Sequence, residues 1–302
     1  MTTLRSPADR TGGRDVPHDL ETLRRLLART RQAGKVSTRL AGGYAEKLWF
    51  TPWPTPTSPS AAAREERWLA PTSPIEVPFE GRTLHGFTAG SGPVVLLAHG
   101  WGEYAARLGA HVEPLLAAGM RVVGVTMPAH GEGAVGTTNA YQMSRAITAA
   151  ATAVGGLDAI IAHSMGVTAS ALALRDGLPC RAVVALAVPT MCFDDTFEKF
   201  GELLKLPPRA VVGLRRAIER RLGAGRWAGI AAALGRRHGL PALVVHDADD
   251  PLVPLRDAQA IADAWGVPLT TTMGLGHRRI IRDDTVVERV AAFLTGALRA
   301  RP

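Results

Sequence analysis

The sequence has 302 residues, of which 46% are hydrophobic, enough to build a sizeable buried core. It contains two cysteines, Cys180 and Cys192, which excludes a disulfide framework, and neither has a second Cys or His at metal-ligand spacing. The formal net charge is +8, but nearly all of the basic residues are arginine, which we attribute to a GC-rich genome. No nucleic-acid recognition motif accompanies the charge, so we expect no nucleic-acid partner.

The first part of the chain lacks the features of a targeting segment. Residues 1–19 are polar and charged, without the apolar centre of a signal peptide, and no stretch of 18 uninterrupted apolar residues follows. We therefore expect neither secretion nor a transmembrane segment. A reducing cytoplasm fits the sparse cysteines best.

Residues 1–70 are predicted to form a helical extension followed by a proline-rich linker. From Asp19 to about Thr30, leucines share one helical face and arginines lie elsewhere, which predicts a basic amphipathic helix. We expect this helix to pack on the main domain and not to bind a membrane peripherally; contact with a membrane surface is the less favoured alternative. Thr51–Ser60 alternates proline with small polar residues and predicts an extended linker.

Residues 71–302 alternate short apolar runs with helix-length segments, which predicts an α/β domain with a mostly parallel sheet. Ile75–Phe79 and Thr83–Thr88 are predicted to form an antiparallel hairpin ahead of that sheet. The parallel strands are predicted at Val94–Ala98, Arg121–Thr126, Ala159–His163, Ala182–Val188, Leu243–His246 and Leu269–Met273.

The segment between the predicted strands Ala182–Val188 and Leu243–His246 is too long for one crossover helix. More than 50 residues separate Val188 from Leu243. Phe193–Leu206 and Arg209–Leu222 predict two helices there, in a small helical lid at about 190–240. Residues 207–237 hold eight arginines and one glutamate, so the lid either presents a solvated basic face or attracts anionic acyl substrates.

Ser164 lies between a predicted strand and a predicted helix, at the apex of a tight turn. Small residues, Ala162 and Gly166, occupy the positions two before and two after it, where strand and helix must pack closely. The segment A-H-S-M-G resembles the G-x-S-x-G nucleophile elbow of α/β-hydrolases, and some lipases of that family also have Ala at the first position. The resemblance implies a doubly wound sheet with a helical lid and Ser164 as nucleophile; a helix-capping serine is the alternative.

The loop after Val94–Ala98 has the sequence H-G-W-G at positions 99–102. Acyl transfer needs two preorganised N–H donors for the oxyanion. The resemblance to α/β-hydrolases implies that these are the backbone N–H groups of Trp101 and Met165. His99 is expected to brace the loop and not to act in catalysis.

His277 is the candidate for the general base. It follows the last predicted strand in a glycine-containing loop, M-G-L-G-H, and a neutral imidazole can accept the serine proton near pH 7. His163 precedes the nucleophile directly, and we expect its side chain to point away from the site. His130 lies in a loop that is expected to shape the pocket.

The candidate acids follow the penultimate strand, at Asp247, Asp249 and Asp250. The α/β-hydrolase pattern here is D-x-x-V-P, and Asp250–Pro254 matches it in register, so Asp250 is preferred over Asp249 as the residue that orients His277. Some members of the family place the acid after the preceding strand, but we expect the aspartates there to cap the first lid helix: Asp194 and Asp195.

Together these features predict a serine hydrolase that cleaves a small-molecule carboxylic ester through an acyl-enzyme intermediate. A thioesterase, an acyltransferase and a cofactor-free perhydrolase are alternatives with the same triad, and a non-catalytic binding protein is an alternative of another class. Dehalogenases and epoxide hydrolases of this superfamily use aspartate at the position of Ser164, which disfavours both. No metal or organic cofactor is expected.

Overall fold

The structure is a computed structural model that describes residues 19–190, 193–223, 230, 233, 235 and 239–299, without the side chains of 193–195. These residues fall into two compact units. The helices are, in chain order, α1 (Leu20–Ala33), α2 (Thr38–Phe50), α3 (Pro59–Leu69), α4 (Val112–Ala117), α5 (Ala140–Ala153), α6 (Met165–Arg175), α7 (Phe193–Leu203), α8 (Pro208–Leu222), α9 (Leu255–Trp265), α10 (Gly276–Arg279) and α11 (Asp284–Arg299).

The larger unit is built around one sheet of eight strands in the order β1-β2-β4-β3-β5-β6-β7-β8. From β3 to β8 the neighbouring strands are parallel, whereas β1 and β2 form an antiparallel hairpin that joins the sheet at β4. The strands are β1 (Ser73–Phe79), β2 (Arg82–Ala89), β3 (Val94–Ala98), β4 (Arg121–Val125), β5 (Ala159–His163), β6 (Ala182–Leu186), β7 (Ala242–Asp247) and β8 (Leu269–Thr272).

This architecture confirms the predicted fold class. The central strands are continuous apolar runs because helices cover both faces of the sheet. One face packs against α4, α11 and the 3-10 helix at Ala105–His111, with Leu97 and Ile161 in the shared core, and α6 packs against β5 and also against α5. Because these strands are parallel, their carboxyl ends lie at one common edge of the sheet, where the chain leaves the core.

Element boundaries differ from the predictions by a few residues, for local reasons. The hairpin turn is only Glu80-Gly81, both with positive φ (47° and 75°), as a type I′ turn requires. The first helix predicted for the lid ends at Leu203 and not at Leu206. Lys205 adopts a left-handed conformation (φ 50°) and Pro207 follows, so the helix cannot continue.

The smaller unit contains α1, α2, α7 and α8. Asp19 caps α1 by accepting a hydrogen bond from the Thr22 N–H at 2.6 Å, and α1 packs against α2. Helices α2 and α8 approach closely at Gly42 and Gly213, where an added Cβ on Gly42 would collide with the Gly213 carbonyl. None of the described helices has both the length and the apolar character needed to cross a membrane.

Candidate active site

The three side chains predicted to form a triad all follow the carboxyl ends of parallel strands. Ser164 comes directly after β5, Asp250 lies in the loop after β7, and His277 is in α10, after β8. Because the carboxyl ends of parallel strands meet at one edge of the sheet, residues far apart in sequence come together there.

Ser164 sits in a strained turn between β5 and α6. Its backbone has φ 51° and ψ −120°, a conformation that costs on the order of 1–3 kcal/mol for a residue with a Cβ. The Ser164 N–H donates to the Leu186 carbonyl at 3.0 Å, which holds the turn against β6. At Gly166 a Cβ would collide with the Ala98 carbonyl oxygen, so a glycine is required there.

A continuous hydrogen-bonded chain joins Ser164, His277 and Asp250. The Ser164 hydroxyl lies 3.0 Å from His277 Nε2, and His277 Nδ1 lies 2.7 Å from Asp250 Oδ2. The other carboxylate oxygen of Asp250 accepts backbone N–H bonds from Leu252 at 2.8 Å and Val253 at 2.9 Å. These bonds fix the carboxylate, which in turn selects the His277 tautomer with hydrogen on Nδ1.

The electrostatics of the pair favour a neutral imidazole beside an ionised acid. Burial lowers the pKa of His277; the hydrogen bond to Asp250 opposes this, but the pKa stays below its usual value. For Asp250, burial acts to raise the pKa, yet the His277 hydrogen bond and charge outweigh it and the pKa is lowered. His277 can therefore accept a proton near neutral pH while Asp250 remains charged.

The neighbouring aspartates contact other groups. Asp247 Oδ2 accepts hydrogen bonds from the Thr272 hydroxyl at 2.7 Å and the Leu275 N–H at 3.0 Å, and Asp249 Oδ2 accepts one from the Gly274 N–H at 3.0 Å. Both therefore support the loop that carries His277. The side chains at 194 and 195, predicted to cap a helix, lie outside the described residues.

Of the two residues predicted to supply the oxyanion hole, Met165 directly follows Ser164, and Trp101 follows Gly100, where an added Cβ would lie 3.2 Å from Ser164 Cβ. Met165 is the first residue of α6, whose initial N–H groups have no carbonyl of their own helix to bind. Trp101 lies in the H-G-W-G loop, which is held by a 3.0 Å bond from the Thr55 N–H to the Gly102 carbonyl. Across the described ranges of the chain, no acceptor is bound to the N–H of Trp101 or of Met165.

His99 braces this loop, as expected from the sequence. Its Nδ1 lies 2.8 Å from the Gly100 carbonyl oxygen, and its Nε2 accepts the Met127 N–H at 2.9 Å. Burial lowers the pKa of His99 to about 4, so the ring is neutral and its tautomer is set by these two partners. The His130 ring packs edge-on against both His99 and Trp101, with centroids 5.0 and 5.4 Å away.

Comparison with solved structures identifies the architecture. A bacterial membrane phospholipase A shares 18% identity, with 80% of this chain and 91% of that chain covered and a TM-score of 0.60. An esterase from Pyrococcus furiosus shares 18% identity, with 81% and 97% covered and a TM-score of 0.58. An epoxide hydrolase from Vigna radiata shares 15% identity, with 74% and 97% covered and a TM-score of 0.54. The chain has the α/β-hydrolase fold.

A sequence-based family match agrees with this α/β-hydrolase fold. Residues 140–285 match the model of a family described as serine hydrolase, a range that includes Ser164, Asp250 and His277. No curated protein sequence gives a significant match. The family match, with the structural likeness to an esterase and a phospholipase, supports a hydrolase.

Two residues of this candidate site were not found from the sequence. His163 was expected to point away from the site; that expectation is wrong, because its ring lies 4.9 Å from the His277 ring and is buried. Its Nδ1 is 3.0 Å from Glu103 Oε2, and its Nε2 is 2.8 Å from the His277 carbonyl oxygen. Glu103 directly follows the H-G-W-G segment, and an acid beside that glycine-rich loop was the available clue.

The described part of the chain contains no group of three or more His, Cys, Asp or Glu side chains that could hold a metal ion. The aspartates at 247, 249 and 250 bind the backbone and side-chain donors given above.

Proposed function

We propose that this protein is a serine hydrolase that cleaves a carboxylic ester through an acyl-enzyme intermediate, with Ser164 as nucleophile, His277 as general base and Asp250 as orienting acid. The observation that carries the proposal is the chain of two hydrogen bonds, Ser164 to His277 at 3.0 Å and His277 to Asp250 at 2.7 Å, at a strained elbow. A nucleophile hydrogen-bonded to a base, which is in turn hydrogen-bonded to an orienting acid, is the arrangement that acyl transfer by serine needs.

In the first half of the reaction, Ser164 Oγ attacks the ester carbonyl carbon while His277 Nε2 takes the hydroxyl proton. The carbonyl oxygen becomes an oxyanion, which accepts hydrogen bonds from the N–H groups of Trp101 and Met165. When the tetrahedral intermediate collapses, the bond to the alcohol oxygen breaks and His277 returns its proton to the departing alcohol. An acyl ester on Ser164 remains.

In the second half, a water molecule takes the place of the alcohol. His277 removes one of its protons as the water oxygen attacks the acyl carbon, the oxyanion forms again, and the bond to Ser164 Oγ breaks. His277 then protonates Ser164, and the carboxylic acid leaves. Asp250 stays ionised throughout and stabilises the imidazolium that forms twice in each cycle.

A fluorophosphonate probe tests the nucleophile directly. We expect one covalent adduct at Ser164 in the folded protein and none in Ser164→Ala, together with a loss of ester hydrolysis in that variant on the order of 10⁶-fold in kcat. Ser170→Ala is the matched control, because Ser170 lies buried in α6, the helix that follows Ser164, and donates to the Gly166 carbonyl at 2.8 Å. Folded wild-type protein that forms no adduct would contradict the proposal.

The leaving group is tested with matched ester and thioester substrates of one acyl chain. We expect the ester to be hydrolysed with a higher kcat/KM than the thioester. A preference of about tenfold or more for the thioester, which is worth about 1.4 kcal/mol in transition-state binding, would contradict the carboxylesterase proposal and indicate a thioesterase.

A further inference from the structure

Beneath the proposed triad lies a second histidine–carboxylate pair, Glu103 and His163, which has no direct contact with the reacting atoms in the proposed mechanism. Their side chains are only 4% and 1% exposed. Both nitrogens of His163 face acceptors, the Glu103 carboxylate at 3.0 Å and the His277 carbonyl at 2.8 Å. An imidazole between two acceptors must donate from both nitrogens.

The pair is therefore held as a buried ion pair. Burial acts to lower the pKa of His163, but the charge and hydrogen bond of Glu103 outweigh it and the pKa is raised. Burial acts to raise the pKa of Glu103, but His163 overrides it and lowers the pKa to about 2. Arg278, whose Nε lies 3.8 Å from Glu103 Oε1, adds a second positive charge on the other side of the carboxylate.

This pair connects three loops of the site. Glu103 closes the H-G-W-G turn, since its N–H donates to the Gly100 carbonyl at 3.4 Å. His163 immediately precedes Ser164 at the elbow, and its Nε2–H is bonded to the backbone of His277. A Cβ on Gly100 would lie 2.9 Å from His163 Nδ1 and 3.3 Å from Glu103 Oε2, so the loop passes directly over the pair.

We propose that Glu103 and His163 are positioning residues, which hold these three loops in the arrangement that acyl transfer requires. The bond from His163 to the His277 carbonyl fixes the backbone that presents the base, and Glu103 fixes the orientation of His163. The proposal rests on the proposed function of the triad. A misplacement of about 1 Å in such a site can cost on the order of 100-fold in rate.

Substitutions at Glu103 separate the pair's geometry from its charge. Glu103→Gln can donate an amide N–H to His163 Nδ1, which leaves Nε2–H bonded to the His277 carbonyl without any charge on the pair. We expect its kcat/KM to stay within about fivefold of wild type, whereas Glu103→Ala loses about 20-fold or more, mainly in kcat. Equal loss in both variants would show that the pair acts by charge, and would overturn the proposal.

Substitutions at His163 locate the contact that matters. In His163→Gln an amide N–H can take the place of Nε2–H and reach the His277 carbonyl, whereas in His163→Asn the amide reaches only toward Glu103. We expect His163→Gln to retain a kcat at least about fivefold above that of His163→Asn. Equal values, or the reverse order, would contradict the proposal, and this comparison decides the matter if Glu103→Ala does not fold.

The rate of fluorophosphonate labelling at Ser164 distinguishes failure of this proposal from failure of the function. Wild type without any adduct would remove the proposed triad. Labelling of wild type and Glu103→Ala at the same rate would leave the triad and remove only the positioning role. Asp158→Ala is the matched control for loss of a paired carboxylate, because Asp158 binds Arg181 and the Val94 N–H at the opposite edge of the sheet.

Discussion

The two edges of the parallel sheet differ in how they hold their polar groups. At the amino-terminal edge, Asp158 accepts hydrogen bonds from the Val94 N–H at 2.8 Å and Arg181 at 3.2 Å, and both side chains of that ion pair remain about a third exposed (30% and 36%). At the carboxyl-terminal edge, the side chains of Asp250 and His277 are 0% and 9% exposed, and Ser164 is strained.

This difference predicts which edge contributes more to activity and which contributes more to stability. Partly exposed ion pairs between relaxed residues stabilise a fold modestly and cost little to form. Buried charges and a serine with a positive φ cost stability, and such features persist where a site requires them. We therefore expect substitutions at the carboxyl-terminal edge to affect activity most, and substitutions at the amino-terminal edge to affect stability most.

The largest effect in this comparison is expected from Asp250→Asn. Without the carboxylate, His277 loses the group that sets its tautomer and stabilises its charged form. We therefore expect kcat to fall on the order of 10³- to 10⁴-fold, a loss typical of a serine protease triad in which asparagine replaces the aspartate. Steady-state ester hydrolysis measures the loss, and circular dichroism checks the fold.

Asp249→Asn is the control for this substitution. Asp249 accepts a hydrogen bond from the Gly274 N–H at 3.0 Å, and an asparagine oxygen can accept the same bond. Its kcat should stay within about threefold of wild type, since a neutral acceptor replaces a charged one at an exposed position. A larger loss in Asp249→Asn than in Asp250→Asn would reverse the assignment of the acid.

The next largest effect is the dependence of activity on pH. The pKa of His277 lies below its usual value of 6.5, and only the neutral ring can act as base, so kcat/KM should rise with pH and reach a plateau by about pH 7. Below that pKa the rate should fall about tenfold per pH unit. A profile with a neutral ester substrate measures it, and an acidic midpoint above pH 7 would contradict the buried, neutral base.

The smallest effect on activity is expected at the amino-terminal edge. Asp158→Ala removes the acceptor of the Val94 N–H and of Arg181, two bonds worth about 1–2 kcal/mol of unfolding free energy together after allowance for their partial exposure. Urea denaturation should detect this loss while kcat stays within about twofold of wild type. A large drop in kcat with unchanged stability would show that the two edges are not functionally separate.

Much of the larger unit could be predicted from the sequence because its information is local. Strands such as Val94–Ala98 and Ala159–His163 are short apolar runs between turn residues, and both were predicted with the ends that the structure has. Helix and strand ends that depend on tertiary contacts or backbone conformation were predicted less accurately, as at the end of α7, where the left-handed conformation of Lys205 stops the helix. The grouping of α1 and α2 with α7 and α8 in one unit had no local indication.

The sequence by itself determined the alternation of strands and helices and the order of Ser164, Asp250 and His277, because each depends on residue types within a few positions. The D-x-x-V-P register favoured Asp250, and the tertiary structure shows that Asp250 is the aspartate that reaches His277, whereas Asp247 and Asp249 bind neighbouring donors. Only the tertiary structure brought Glu103 to His163, 60 residues away, and His163 to the His277 carbonyl, 114 residues away. Such contacts depend on the order of strands in the sheet, which no local pattern encodes.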